Sequence, residues 1–85
     1  MSELLFSDKA FEDYLYWQTQ DRKTLKKVNS LLQELRRDQF LGTGKAEILR
    51  GGAYSRRIDH KNRLVYEIQG TVVKITSCRG HYDDK

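Results

Sequence analysis

The apolar residues of this chain change their period near residue 40, and that change limits the fold more than any single motif does. Upstream, Leu25, Val28, Leu31, Leu32 and Leu35 recur at three- and four-residue intervals, the stripe of an amphipathic helix. Downstream of "FLGTGKA" the apolar positions alternate, as in "RLVYEI" and "TVVKITSC", which is the period of half-buried strands. A helical part and a sheet part with one apolar side each must cover one another.

Local signals divide these halves into elements. "ELLFS" reads as a first strand, and Ser7 followed by Asp8 reads as the start of a helix. Phe11, Tyr14, Leu15 and Gln18 lie at helical spacing and predict a helix over about residues 8–19. "TQDRKTLKKVNSLLQELRRD" predicts a second helix, with Lys26, Lys27, Arg36 and Arg37 on a solvated outer face. The link between the two is short enough to make them an antiparallel hairpin. Four strands then follow in "AEILR", "AYSRRID", "RLVYEI" and "TVVKITSC", separated by "GG", "HKN" and "QG". The expectation is an α+β fold of order β-α-α-β-β-β-β, a helical hairpin packed on one face of a twisted, mostly antiparallel sheet. Residues 1–85 are expected to form a single domain.

Composition narrows the function classes. Hydrophobic residues at 38% and charged residues at 33% suit a globular chain, and the lack of proline argues against a linker or polyproline ligand. No apolar run approaches the ~20 residues of a membrane span. The start "MSELLFSDKAF" lacks the basic head and apolar core of a signal peptide, so a cytoplasmic setting is expected. Cys78 is the lone cysteine; its strand context reads as a buried, inert thiol. Cys78, His60 and His81 make no convincing ligand set, so neither metal nor cofactor is expected. Sixteen Lys and Arg against twelve Asp and Glu give +4, which favours polyanions or an acidic partner. The second half is the basic half: from Gly42 to Arg79 the acids are Glu47, Asp59 and Glu67, set among eight lysines and arginines.

Register places those charges. A "QG" loop pairs Tyr66 with Val73 and Leu64 with Ile75, putting Leu64, Tyr66, Ile68, Val73 and Ile75 on the covered face. Pairing Tyr54 with Tyr66 sets Arg56 opposite Leu64 and Arg57 opposite Arg63, with "DHK" as the loop. Like charges paired on the open face destabilise a sheet; either the two arginines splay into water or a bound phosphate uses them. Arg56 has core-face parity and is expected to snorkel at the sheet edge. If Ile48 faces the core, Glu47 faces the arginines: a single carboxylate among cations, placed to accept a proton. In this register Arg63 lies opposite Thr76, so His81 sits about 16 Å further along and needs a bend at Gly80 to reach the site. A base, a phosphate clamp and a histidine are the parts of in-line phosphoryl transfer.

The segments "YLYWQTQDRKTLKKVNSLLQELRRDQF", "GTGKAEIL", "YSRRIDHKNRLVYEI" and the late "HY" resemble the YoeB-type toxins of the RelE/ParE superfamily, in order over nearly the whole chain. The resemblance implies a RelE-like microbial ribonuclease fold. It also implies the toxin of a type II toxin–antitoxin system, a ribosome-dependent endoribonuclease that cuts messenger RNA in the A site and inhibits translation. It puts the general base at Glu47, the phosphate-stabilising arginine at Arg63, the general acid at His81 and a substrate-positioning tyrosine at Tyr82. Lys45, Arg50, Arg56 and Arg57 match basic residues around the scissile phosphate. The partners it implies are the ribosome, messenger RNA and a cognate antitoxin whose partly disordered acidic segment covers the site. Operator DNA is implied only through the antitoxin complex, a homodimer is allowed, and no membrane is involved. The chain departs from the family pattern at Ala46, where proline is usual, at Tyr54, where tryptophan is common, and in the short "RGGAYSRR" segment. Asp83, Asp84 and Lys85 extend beyond the usual His-Tyr ending. Two other readings stay open: a toxin of this fold that binds another target such as gyrase, and a non-catalytic nucleic-acid-binding module using only the arginines.

Overall fold

Ser7 ends the first strand and starts the first helix. In the computed structural model, which describes residues 1–39 and 46–80, β1 spans Glu3–Phe6 and α1 spans Asp8–Gln20. The Ser7 hydroxyl oxygen accepts the Ala10 amide at 3.1 Å and the hydroxyl donates to the Thr76 carbonyl at 3.1 Å, so the cap also ties α1 to the sheet. Asp21 closes α1 and opens α2, Arg22–Arg37. Its amide donates to the Trp17 carbonyl, and its carboxylate accepts the Thr24 hydroxyl at 2.8 Å and amide at 3.1 Å. Those bonds from Thr24 hold the Asp21 carboxyl below its usual range. A one-residue link leaves the second helix no course but to fold back on the first.

The inner face of α2 is the predicted stripe, with Val28, Leu31, Leu32 and Leu35 buried. The inner face of α1 differs from expectation. Ala10, Asp13 and Trp17 are buried, whereas Phe11 and Leu15 are exposed at 52% and 43%. Asp13 is the reason: a buried carboxylate with polar work to do is skipped by a count of apolar positions.

The remaining strands are β2 (Glu47–Ile48), β3 (Tyr54–Arg57), β4 (Arg63–Gln69) and β5 (Val72–Ser77), with a short 3-10 turn at Arg50–Gly52. The sheet order is β1-β5-β4-β3-β2, with β1 parallel to β5 and every other pair antiparallel. Leu64, Tyr66, Val73, Ile75 and Cys78 meet the helices in one core. The helices pack toward the β1–β5 half of the sheet. That offset corrects the expectation for Ile48: on the far edge strand it is 77% exposed and does not face the core.

The last hairpin also departs from the expected register. Gln69 pairs with Val72, so Gly70 and Thr71 form the turn, and Tyr66 meets Ile75 rather than Val73. A shift of two residues preserves the faces, so the covered set is unchanged. Between Tyr66 and Val65 a bulge then intervenes: Tyr66 pairs with Ile75 but Val65 with Ser77. Thr76 is the extra residue, and its hydroxyl donates to the Val65 carbonyl at 3.2 Å. The bulge reverses the alternation beyond it, turning Cys78 into the core. Among the described residues no helix is long and apolar enough to cross a membrane.

Candidate active site

The arginine pair sits where alternation put it. Arg57 opposes Arg63 and Arg56 opposes Leu64 across β3 and β4. The Ile58 amide donates to the Asn62 carbonyl at 3.0 Å, leaving Asp59, His60 and Lys61 as the loop. On the face away from the helices, Glu47 pairs with Ser55 and Ser55 with Val65, so these three form one row beside the Arg57–Arg63 row. Ser55 and Val65 are buried at 2% and 4% and make the floor; Glu47 and Arg57 are exposed above it. Two strand spacings of ~4.8 Å and two residues of ~3.3 Å put the Glu47 and Arg63 Cα atoms roughly 12 Å apart. A group the size of a phosphodiester between them lies within the length of both side chains once the Arg63 guanidinium, directed toward the 59–62 turn, swings to it.

Arg56 is a correction. Expected among the substrate-binding residues and as a snorkelling side chain, it is 3% exposed and lies on the helix side of the sheet. Its Nη2 donates to the Glu34 carboxylate of α2 at 2.7 Å. Tyr66, stacked on Tyr54 with ring centroids 5.6 Å apart, lies nearby; burial pushes its phenol up and the Arg56 charge offsets part of that. Arg56 joins α2 to β3 and is out of reach of a ligand on the open face.

Arg63 is held by the turn that precedes it. Its Nη1 donates to the Asp59 carbonyl at 2.7 Å and the Asn62 carbonyl at 3.2 Å. The Asp59 carboxylate in turn accepts the Lys61 and Asn62 amides, each at 2.8 Å, and the Asn62 side-chain nitrogen at 3.0 Å. Burial pushes the Asp59 carboxyl up, but those hydrogen bonds from Lys61 and Asn62 outweigh it and hold the group below its ordinary value.

The end of β5 runs directly against this turn. The Arg63 amide donates to the Gly80 carbonyl at 3.0 Å, and the Gly80 amide donates to Asn62 Oδ1 at 2.8 Å. The expected 16 Å gap is thereby corrected: the register shift and the bulge bring the chain beside Arg63 by residue 80. Gly80 does turn, with φ at 94°, a conformation that other L-residues adopt only with strain. Two residues earlier, α1 grips both polar groups of the Cys78 backbone. Asp13 Oδ2 accepts its amide at 3.0 Å, and Trp17 Nε1 donates to its carbonyl at 2.8 Å. Lys9 balances the buried Asp13 carboxylate at 2.8 Å. The Cys78 thiol, in contact with the Ala10 carbonyl, is pushed up to about 12 by burial and by the Asp13 charge.

The structure thus brings together Glu47, Arg57 and Arg63 on one face, leaves Arg50 exposed in the 3-10 turn after β2, and removes Arg56 to the core. Lys45, His81 and Tyr82 lie outside the described residues. Sequence reasoning missed Asp59 and Asn62, which hold Arg63 and Gly80. The signal was there in "DHKN", whose Asp and Asn are side chains that bond to nearby backbone in turns. It also missed Asp13, Trp17 and Glu34, whose partners are too distant in sequence for any local pattern to mark.

The family described as YoeB-like toxin of bacterial type II toxin-antitoxin system matches residues 6–82. Toxin YoeB of Escherichia coli is 42% identical over 83 residues, covering 94% of this chain and 99% of that protein. The YoeB dimer from Staphylococcus aureus superposes with a TM-score of 0.83 at 47% identity, covering 95% of this chain and 98% of that one. The YoeB-YefM complex from Staphylococcus aureus gives a TM-score of 0.81 at 45% identity, covering 96% and 99%.

Proposed function

This chain belongs to the YoeB-like toxins of bacterial type II toxin–antitoxin systems, and from that premise we propose that it is a ribosome-dependent endoribonuclease that cuts messenger RNA in the A site. One observation carries the reading: Glu47, Arg57 and Arg63 share the sheet face that the helices leave open, and the chain leading to His81 passes beside Arg63. Glu47 takes the proton from a ribose 2′-hydroxyl, whose oxygen attacks the adjacent phosphorus. Arg63, supported by Arg57, Arg50 and Lys45, offsets the charge that builds on the phosphoryl oxygens. The P–O5′ bond breaks, His81 supplies the proton to the departing 5′-oxygen, and Tyr82 positions the substrate. The products are a 2′,3′-cyclic phosphate and a 5′-hydroxyl. Because the substrate carries its own nucleophile, the step as written calls on neither metal nor cofactor.

The partners follow from the same reading. An antitoxin with an acidic, partly disordered segment complements the basic face, and operator DNA is engaged only through that complex. A homodimer like that of the Staphylococcus aureus relative is a further assembly this chain can form. The cytoplasm is where such a protein meets ribosomes.

Toeprinting of a translated message tests the proposal. Wild-type protein is expected to give a new A-site stop, and Arg63→Ala and His81→Ala to lose it while keeping native circular dichroism. Losing one transition-state charge contact costs about 2.7–4 kcal/mol, or roughly 10²–10³ in rate. Full cleavage by both Arg63→Ala and Glu47→Ala would show that the reacting groups lie elsewhere.

A further inference from the structure

The three residues before His81 are each fastened to a different part of the fold. Cys78 is gripped through its backbone by Asp13 and Trp17 of α1. The Arg79 guanidinium lies over the Tyr16 ring, 3.7 Å from its centroid. Gly80 is bonded on both sides, its amide to Asn62 Oδ1 and its carbonyl to the Arg63 amide. Here the fold spends a buried carboxylate, an indole, a tyrosine face and an amide side chain on one short stretch.

The Gly80 anchor differs from the other two because it also holds Arg63. Asn62 divides its side-chain amide: the oxygen takes Gly80, and the nitrogen is fixed by the Asp59 carboxylate. Asp59 supplies a second grip, its backbone carbonyl receiving the Arg63 guanidinium at 2.7 Å. One short turn therefore sets both the direction of the Arg63 side chain and the backbone from which the next residue leaves.

Resting on the nuclease reading above, we propose that Asp59 and Asn62 are positioning residues, a turn that registers the backbone at Gly80 against Arg63 so that charge clamp and proton donor converge on one phosphate. Neither side chain touches substrate. Each acts through the atoms it holds. A misplacement of about 1 Å in a group that must meet a reacting atom can cost ~10²-fold in rate. The expected defect therefore falls on the chemical step and not on ribosome binding.

Two measurements on the full chain separate this proposal from the function it rests on. In single-turnover cleavage on programmed ribosomes, Asn62→Ala and Asp59→Ala should lower the saturating rate by roughly 10–100-fold. The half-saturating protein concentration should stay near the wild-type value. Asp59→Asn retains an oxygen for the Lys61 and Asn62 amides and should recover most of the rate. Amide exchange then reads the anchor without any activity: the Gly80 N–H should be protected in wild type and lose protection in Asn62→Ala. If Asn62→Ala fails to fold, the same bond can be cut at a single atom. Cys78 allows ligation of a synthetic segment carrying an ester in place of the Arg79–Gly80 amide, which deletes the donor to Asn62 and should give the same rate loss. Wild-type rates in Asn62→Ala or in the ester protein, or a Gly80 amide indifferent to Asn62, would overturn the positioning role. A wild-type protein that leaves ribosome-bound message intact would instead overturn the nuclease reading, and the exchange result would still stand.

Discussion

Adjacent arginines on β3 have opposite roles because a strand presents successive side chains to opposite faces. Arg56 points to the helices and is locked to Glu34; Arg57 points to the open face and is exposed. Truncating Arg56 strands Glu34 and leaves a gap in the core. Breaking a fully buried pair costs about 3–5 kcal/mol, and Glu34, still about one-third exposed at 32%, can rehydrate, so a loss nearer ~2 kcal/mol is expected. Arg57→Ala should leave the urea midpoint almost unchanged and reduce the salt dependence of RNA association by a log–log slope of about 0.7. Equal urea midpoints for the two variants would show that Arg56 is not structural. Cys78 gives a second residue-scale prediction. Its thiol holds its proton to about 12 in the fold, against about 8.5 in an unfolded chain. The folded state therefore binds more protons between those values, so this contribution to stability is complete below about pH 8.5 and declines as pH rises. Urea midpoints measured at rising pH should fall less steeply in Cys78→Ala than in wild type. Iodoacetamide should label native Cys78 very slowly at neutral pH and rapidly in urea.

Among the elements, β2 is the least supported and the most exposed to change. It has two residues and, among the described residues, forms the last strand of the sheet; it also carries the proposed base. Its short pairing with β3 is continued by the turn between them, closed by the Leu49 amide donating to the Ala53 carbonyl at 2.7 Å. Gly51 and Gly52 lie in that turn with φ of 84° and 87°. Among the described residues nothing lies within reach of a methyl group at either glycine, so the cost of alanine is that of backbone strain, about 1–2 kcal/mol per residue. Gly51→Ala and Gly52→Ala are expected to loosen β2, slow cleavage through misplacement of Glu47, and shift the global melting temperature little, because β2 lies apart from the main core. Amide exchange at Glu47 and Ile48 should rise in both variants while the amides of β4 and β5 keep their protection. Unchanged exchange in β2 would mean that another contact holds it.

At the scale of the whole molecule, a core on one side of the sheet frees the other side for charge. The net +4 is carried by the second half of the chain, a balance that favours polyanions or an acidic partner over basic ones. Expression alone should arrest bacterial growth, and co-expression of a cognate acidic antitoxin should relieve the arrest; unimpaired growth with folded protein confirmed in the cells would count against the toxin reading. The chain end tests the molecule's division of labour. Deleting Asp83, Asp84 and Lys85 should leave cleavage largely intact. Deleting His81 and Tyr82 as well should remove general-acid catalysis worth roughly 10²–10⁴-fold without lowering the melting temperature, because the core closes at Cys78.

What the sequence determined by itself was most of what depends on parity and local spacing, the inner face of α1 and the setting of Ile48 excepted. The helical stripe of α2, the Ser7 cap, the order of elements and the Arg57–Arg63 pair all follow from intervals of two, three or four residues. Even the misjudged turn at Gly70 and Thr71 left the faces correct, since a slip of two residues returns every side chain to the same side. Tertiary structure decided what parity cannot carry. One extra residue, Thr76, reversed the alternation and brought Gly80 to Arg63, where straight counting had left His81 far along the strand. Glu34 decided the fate of Arg56, and Asp13 and Trp17 that of Cys78, across separations of 22, 65 and 61 residues. Periodicity records which way a side chain points; what waits there is set by whichever distant element packs above it, and a buried charge or backbone amide must find its partner in that element or go unpaired.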